Sequence, residues 1–393
     1  MPFEFNFYSV LLLLPFVHGL LFSVLLFSRS ITRQRSNDAF MALLLLLLSI
    51  TVGFWMLGFA GWYDTHDAFT SFMFYFPFNL LLFVGPCIWF YFQSTVNAGF
   101  LLTRRHWPHA VLPALLLLLC VVKLVVDFTA EYPFPESEEF QYGTRGSWAR
   151  LDKTLPVKFI SYASVFYYLF LTLRSFSRYR IYLVNHFSET ESLSLNWLRR
   201  MLLAAGVALL IFFLFFAAGL FTDSVSYKLN WFAYTGIGIL IYYLSIQSYL
   251  FSPHQLRQLN FVPAAEEVQA RPGPDELEQR IARLQQIIEQ QRPYLDPELT
   301  LAQLARLNDT NTATLSKSIN TKLGQNFNDY INGLRIAEFQ NCLRRGEHKK
   351  HTLMALAFDA GFNSKATFNR AFRKVTGKSP SEWLRENQIE GGL

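Results

Sequence analysis

The hydrophobic positions divide the chain into two regions. Up to about residue 250 they form long apolar runs, whereas beyond it they recur every three or four residues among Gln, Glu, Arg, Asn and Lys. Long runs are typical of helices in lipid, and the shorter spacing is typical of amphipathic helices in water. The pattern therefore predicts an all-α protein, in which a membrane region precedes a water-soluble helical domain.

Seven of the apolar runs are long enough to cross a membrane. A spanning helix needs about 20 mainly apolar residues, because the hydrocarbon core is about 30 Å thick and each helical residue rises about 1.5 Å. The runs cover residues 7–27, 40–60, 69–92, 107–126, 155–173, 201–221 and 229–251. We therefore expect a seven-helix transmembrane bundle over residues 1–252.

The charges of the loops predict how these spans are oriented. Arginines follow the first, third and fifth runs, for example Arg33, Arg105 and Arg178, whereas acidic residues dominate the other loops. Cytoplasmic loops are enriched in Lys and Arg. We expect an outside N-terminus that is not cleaved as a signal peptide. Everything after Phe251 is then cytoplasmic, in a multi-pass membrane protein.

Composition agrees with this division. The chain is 52% hydrophobic and 16% charged, whereas about a quarter of a soluble domain is charged. A net charge of +6 suits anionic lipid or nucleic acid. Cys87, Cys120 and Cys342 are expected to be free thiols, because their spacing fits neither a disulfide framework nor a zinc site. We expect no metal, no cofactor and no catalysis, since no phosphate-binding glycine loop or catalytic cluster follows Phe251.

Polar residues inside the apolar runs are candidates for ligand binding. They are His18, Asn79, Lys123 and Asp127. Lys123 and Asp127 also fit an ion pair near the outer end of the fourth span, because they lie four residues apart on a helix. His18 also fits a hydrogen-bonded packing residue.

A linker and an amphipathic helix follow the last span. Residues 253–275 contain four prolines and no sustained periodicity, which is typical of a connector. Residues 276–291 then place apolar side chains every three or four positions, at Leu277, Ile281, Leu284 and Ile288. This stripe either packs onto its own domain or forms a homodimer contact that relays a membrane signal.

Residues 292–393 contain one helical pattern twice. In the first copy, about 300–322, Thr300 caps a short helix, and a turn at Asp309 leads to a second helix. In the second copy, about 352–375, Gly361 supplies the positive φ that the turn needs. A long helix over about 326–345 joins the copies. The pattern predicts two helix-turn-helix units.

The outer faces of the second helices carry side chains suited to DNA. They are Ala313, Ser316 and Lys317 in the first copy, and Lys365, Ala366, Asn369, Arg370, Arg373 and Lys374 in the second. Arg binds guanine bidentately, Asn binds adenine, and a methyl group meets that of thymine, whereas basic residues at helix ends favour phosphates. Two such helices on one DNA face would enter major grooves about 10 base pairs apart. We therefore expect double-stranded DNA as the partner.

The tail resembles the DNA-binding domain of the AraC/XylS family of bacterial transcription regulators over about residues 290–387. GFNSKATFNRAFRKVTGKSPSEW resembles that family's C-terminal signature, and LGQNFNDYINGLRI resembles its linker-helix motif. The resemblance implies that seven of the residues proposed above face bases. They are Ala313, Ser316 and Lys317 in the first copy, and Lys365, Ala366, Asn369 and Arg370 in the second. Asp309 stands where the first turn often holds Gly, and the first copy has small readers, so the second copy is expected to be the stronger anchor.

Seven spans followed by this domain resemble the membrane-bound AraC-type regulators of Bacteroidetes. The resemblance implies a sequence-specific transcription regulator tethered in the bacterial inner (cytoplasmic) membrane, whose transmembrane domain senses a signal. The alternative is a seven-span receptor or transporter whose tail binds protein. A transporter would be expected to show inverted repeats, and none is evident.

Overall fold

The computed structural model is all-helical in the part of the chain that it describes. It describes residues 4–64, 73, 75–76, 80–97, 99–129, 157–218, 227–250, 261 and 274–387. These residues form fourteen α-helices and no named strand, which confirms the predicted all-α class. The chain divides into two compact units, one of residues 1–175 with 196–260 and one of residues 176–195 with 261–393.

In the described residues, seven α-helices precede the predicted linker. They are α1 (Phe7–Arg33), α2 (Ser36–Phe59), α3 (Leu81–Val96), α4 (Pro108–Thr129), α5 (Val157–His186), α6 (Asn196–Ala218) and α7 (Tyr227–Leu250). Several run past their apolar stretch into arginine-rich sequence, because a helix can continue once it has left hydrocarbon. Arg33 and Arg178 therefore lie in helices rather than in loops.

Five of the described helices, α1, α2, α4, α5 and α6, are long and apolar enough to cross a membrane. α3 has 16 residues and is shorter than a span. α7 has 24 residues but is not among the five, and its sequence is rich in Tyr and Ser. A multi-pass membrane region is thus supported, and the count of seven stays a prediction.

Arg29 joins three helices of the first unit. Its guanidinium donates two hydrogen bonds of 2.7 Å to the carboxylate of Asp38 on α2. It also donates to the carbonyls of Ser248 and Tyr249 on α7, at 2.8 and 2.9 Å. Both members of the ion pair are largely buried. This bidentate pair fixes the ends of α1, α2 and α7 against one another.

The described residues of the second compact unit form seven further α-helices. They are α8 (Pro274–Gln291), α9 (Leu301–Leu307), α10 (Thr312–Ser318), α11 (Phe327–Arg344), α12 (Leu353–Asp359), α13 (Lys365–Thr376) and α14 (Pro380–Glu386). Two hydrophobic clusters hold them together, and α11 contributes to both. Phe327 and Ile331 lie in the cluster with α8, α9 and α10, whereas Phe339 and Leu343 lie in the cluster with α12, α13 and α14.

The apolar stripe of α8 packs onto its own domain. Ile281, Leu284 and Ile288 are buried in the same cluster as Leu304 of α9 and Leu315 of α10. This arrangement is the first of the two alternatives that the sequence left open. The stripe therefore completes the core of the first helix-turn-helix unit.

Candidate DNA-binding surface

The first helix-turn-helix unit consists of α9 and α10. Thr300 caps α9 in a reciprocal arrangement, since its hydroxyl accepts from the Gln303 amide at 3.2 Å while its own amide donates to Gln303 Oε1 at 2.6 Å. Leu304 and Leu315 are fully buried between the two helices and α8. The expected cap of this unit is confirmed, and its two helices share one buried core.

Asp309 forms the turn between α9 and α10. It has a φ of +47°, in the left-handed region that favours glycine but that aspartate tolerates. Its carboxylate forms an ion pair with Arg283 of α8. The departure from glycine is therefore accommodated locally, and the turn is tied to α8.

The second helix-turn-helix unit consists of α12 and α13. Ser364 caps α13, because its hydroxyl accepts from the Thr367 amide at 3.2 Å. Phe368 and Phe372 of α13 pack edge-on against Phe339 of α11, with ring centroids 4.8 and 5.9 Å apart. These aromatic contacts fix α13 on α11, so the opposite face of α13 points to solvent.

The glycine of the second turn has two functions. Gly361 has a φ of +96°, as its sequence position predicts. A Cβ atom there would also lie 2.5 Å from the carbonyl oxygen of Tyr294 and 2.9 Å from the Cα of Leu295. The turn of the second unit is thus pressed against the segment that precedes α9.

Most of the proposed DNA-contacting residues lie exposed on the second helices. In α10, Ala313 and Lys317 are exposed, and Ser316 is half-buried with its hydroxyl 3.4 Å from Asn320 Nδ2. In α13 the exposed residues are Lys365, Ala366, Asn369, Arg370, Arg373 and Lys374. Their neighbours Thr367, Phe368, Ala371 and Phe372 are buried. One face of α13 is therefore available for a DNA groove.

Lys374 differs from the other basic residues of α13. Its ammonium group lies 2.6 and 2.7 Å from the two carboxylate oxygens of Asp329, near the start of α11. The pair ties the last turns of α13 to α11. Lys374 is exposed but already neutralised, so its electrostatic attraction for phosphate is reduced.

The sequence analysis did not identify a buried arginine on α11, the helix that joins the two helix-turn-helix units. Arg335 is only 1% exposed. Its guanidinium donates to the carbonyls of Tyr294 and Asp296, at 2.8 and 2.7 Å, and to Asn332 Oδ1 and Ser188 Oγ, at 3.3 and 3.1 Å.

Burial lowers the pKa of Arg335 to about 10, while the nearby carboxylates of Glu189 and Asp296 act in the opposite direction. The side chain therefore stays charged at neutral pH. Its position was detectable, because Ile331, Arg335 and Phe339 follow the helical spacing of a buried stripe. A charged residue on such a stripe indicates a buried, fully hydrogen-bonded group.

The membrane-region candidates do not form one site in the described residues. His18 Nε2 lies 2.6 Å from Ser245 Oγ, and its ring packs on Phe22 and Tyr242. This is the hydrogen-bonded packing role that the sequence left as an alternative. Lys123 is buried in α4. Asn79 and the side chain of Asp127 lie outside the described residues.

The second compact unit thus contains two helix-turn-helix units joined by the long helix α11. Residues 304–386 match the family model described as a helix-turn-helix domain. This model represents AraC-type helix-turn-helix domains, which are typical of DNA-binding transcription regulators. The match supports DNA binding and transcription regulation as the role of this region. No curated protein and no solved structure matches the chain.

Proposed function

We propose that this protein is a membrane-tethered, sequence-specific transcription regulator whose transmembrane region responds to a signal. The observation that carries the DNA-binding part is α13, which exposes Lys365, Asn369 and Arg370 on one face while Phe368 and Phe372 anchor the other. The five candidate spans support attachment to a membrane. The loop charges support a cytoplasmic position for the second unit.

The two helix-turn-helix units have different roles in this proposal. The second helix-turn-helix unit reads bases, since its exposed face carries Arg370 and Asn369, and these side-chain types bind guanine and adenine edges. The first unit exposes only Ala313 and Lys317 beside the half-buried Ser316. It therefore contributes mainly position and phosphate attraction. The domain would cover two successive major grooves, about 10 base pairs apart.

The test uses the full-length protein in lipid nanodiscs. A preferred duplex is selected from a random double-stranded library, and binding is compared with a scrambled duplex. Arg370→Ala should weaken binding to the preferred duplex by about 1–3 kcal/mol and relax the preference at one base pair. The reason is the loss of a bidentate contact to a base edge.

Arg344→Ala is the matched control, because it removes the same charge from the exposed end of α11. It should leave the sequence preference unchanged, even if affinity falls for every duplex alike. Unchanged preference in Arg370→Ala would contradict the assignment of α13 as the reading helix. Equal affinity of the wild type for preferred and scrambled duplexes would contradict sequence-specific binding.

A further inference from the structure

The second unit includes a segment that lies far from the helix-turn-helix domain in sequence. Residues 187–195, here called the docking loop, join α5 to α6, which are both candidate membrane spans. The docking loop clusters with residues 261–393 rather than with the first unit. The DNA-binding domain is therefore in contact with the direct connection between two candidate spans.

Backbone hydrogen bonds anchor the docking loop at Ser188, which is fully buried. The Ser188 amide and hydroxyl both donate to the carbonyl of Leu299, at 3.3 and 2.8 Å. The Ser188 carbonyl accepts from the side-chain amides of Asn328 and Asn332 on α11, at 2.8 and 3.3 Å. Arg335 donates to its hydroxyl. The amide, the hydroxyl and the carbonyl of Ser188 are therefore all hydrogen-bonded, as buried polar groups in folded proteins usually are.

Two glutamates of the docking loop reach the start of α13. Glu189 Oε2 accepts from the Thr367 hydroxyl at 2.8 Å, and Glu189 Oε1 accepts from the Glu191 amide at 2.5 Å. Glu191 Oε2 lies 3.2 Å from the Thr367 hydroxyl and 3.4 Å from that of Ser364. Two carboxylates therefore lie at the first turn of the proposed reading helix, against the hydroxyls of Thr367 and of the capping residue Ser364.

This position is where DNA would approach. The N-terminal residues of a recognition helix contact base edges, and phosphates bind at helix N-termini through amide and hydroxyl groups. Ser364 and Thr367 immediately flank Lys365 and Ala366, the first exposed residues of α13. Carboxylates on those hydroxyls occupy phosphate-binding groups and repel phosphates that come close. The docking loop thus offers the reading helix an internal substitute for the DNA backbone.

We propose that the docking loop is an autoinhibitory element, in which Glu189 and Glu191 hold α13 in a state of low DNA affinity until a movement of α5 relative to α6 withdraws them. This inference rests on the proposed function. It gives the membrane region a defined output, because both ends of the docking loop continue into candidate spans. Glu189 and Glu191 are the inhibitory groups, and Ser188 is the anchor.

The first test measures DNA affinity of the full-length protein in nanodiscs, using the selected duplex and the scrambled duplex. The double variant E189Q/E191Q keeps the shape of both side chains but removes their charge. It should bind the selected duplex more tightly than the wild type, by an amount within the roughly 5- to 150-fold range of allosteric coupling. The control E289Q/E386Q removes two charges from exposed positions on α8 and α14, of which Glu386 pairs with Lys378. It should shift affinity for the selected and scrambled duplexes alike, without the added gain for the selected duplex.

The outcomes separate this inference from the proposed function. Equal selective binding by the wild type and E189Q/E191Q would overturn the inhibitory role and leave the proposed function standing. Weaker binding by E189Q/E191Q would also overturn it, since the loop would then support the active domain. If neither protein prefers the selected duplex, the proposed function fails and the inference fails with it.

A second test locks the docking loop in place. Phe187 and Thr300 form an antiparallel bridge, and the Cα separation in such a pair, about 4.5–5.5 Å, suits a disulfide. The oxidised double variant F187C/T300C should bind the selected duplex more weakly than its own reduced form, by the same roughly 5- to 150-fold factor. The reduced form controls for both substitutions. Equal affinity of the oxidised and reduced forms would refute release of the docking loop as the switch.

Discussion

Replacing Gly361 by Ala tests the packing of the second helix-turn-helix unit directly. The substitution adds a Cβ atom to a residue whose φ is +96°, and that atom would lie 2.5 Å from the carbonyl oxygen of Tyr294. Alanine in the left-handed region costs about 1–2 kcal/mol, and overpacking against backbone costs about a further 1–3 kcal/mol. We expect a total loss of about 2–5 kcal/mol in local stability.

Gly377→Ala is the matched control for this substitution. Gly377 ends α13 with a φ of +77°, but a Cβ atom there would have no neighbour within 4 Å. The control therefore suffers the conformational cost without the steric clash. The difference between the two variants isolates the close approach of the turn to Tyr294.

Hydrogen exchange of the α13 amides in the full-length protein measures both variants, because local opening sets the exchange rate. Gly361→Ala should accelerate exchange more than Gly377→Ala by about 5- to 150-fold, which corresponds to the clash energy. Equal acceleration would show that the contact with Tyr294 contributes nothing to the position of α13. The reasoning from the turn geometry would then be refuted.

Three further predictions concern other parts of the chain. Arg335→Met should lower the free energy of local unfolding by about 2–6 kcal/mol, because the buried carbonyls of Tyr294 and Asp296 lose their donor. Hydrogen exchange of the α11 amides measures this loss, and an unchanged exchange rate would contradict it. Thr300→Ala should cost about 1 kcal/mol through loss of the α9 cap, visible as faster exchange in α9 alone. A reporter fused after Phe251 should be cytoplasmic and one inserted within 131–150 external, and the opposite result would refute the proposed orientation.

The sequence predicted the local features of the DNA-binding domain well. Helix periodicity, the cap at Thr300 and the glycine at 361 are encoded within a few neighbouring residues, because a cap or a turn depends on side chains three or four positions away. These features were predicted from the sequence and confirmed by the structure.

The membrane region was predicted in outline. Hydropathy identifies spans because lipid imposes a length and a polarity on each helix separately. It does not show which helices pack together. The sequence indicates only that Arg29 follows the first apolar run, whereas the structure pairs it with Asp38 and with carbonyls of α7. That pairing depends on residues 219 and 220 positions away in the chain.

The chain's own sequence therefore determined the helices, the two helix-turn-helix units and the exposed face that we propose contacts DNA. Only the tertiary structure decided what covers those elements. It buried Arg335 beneath Ser188, 147 positions earlier in the chain, and placed Glu189 against Thr367, 178 positions later. It also neutralised Lys374 with Asp329. Such contacts leave no periodic signal, because they form only when the chain folds back and brings distant polar groups into one buried interface.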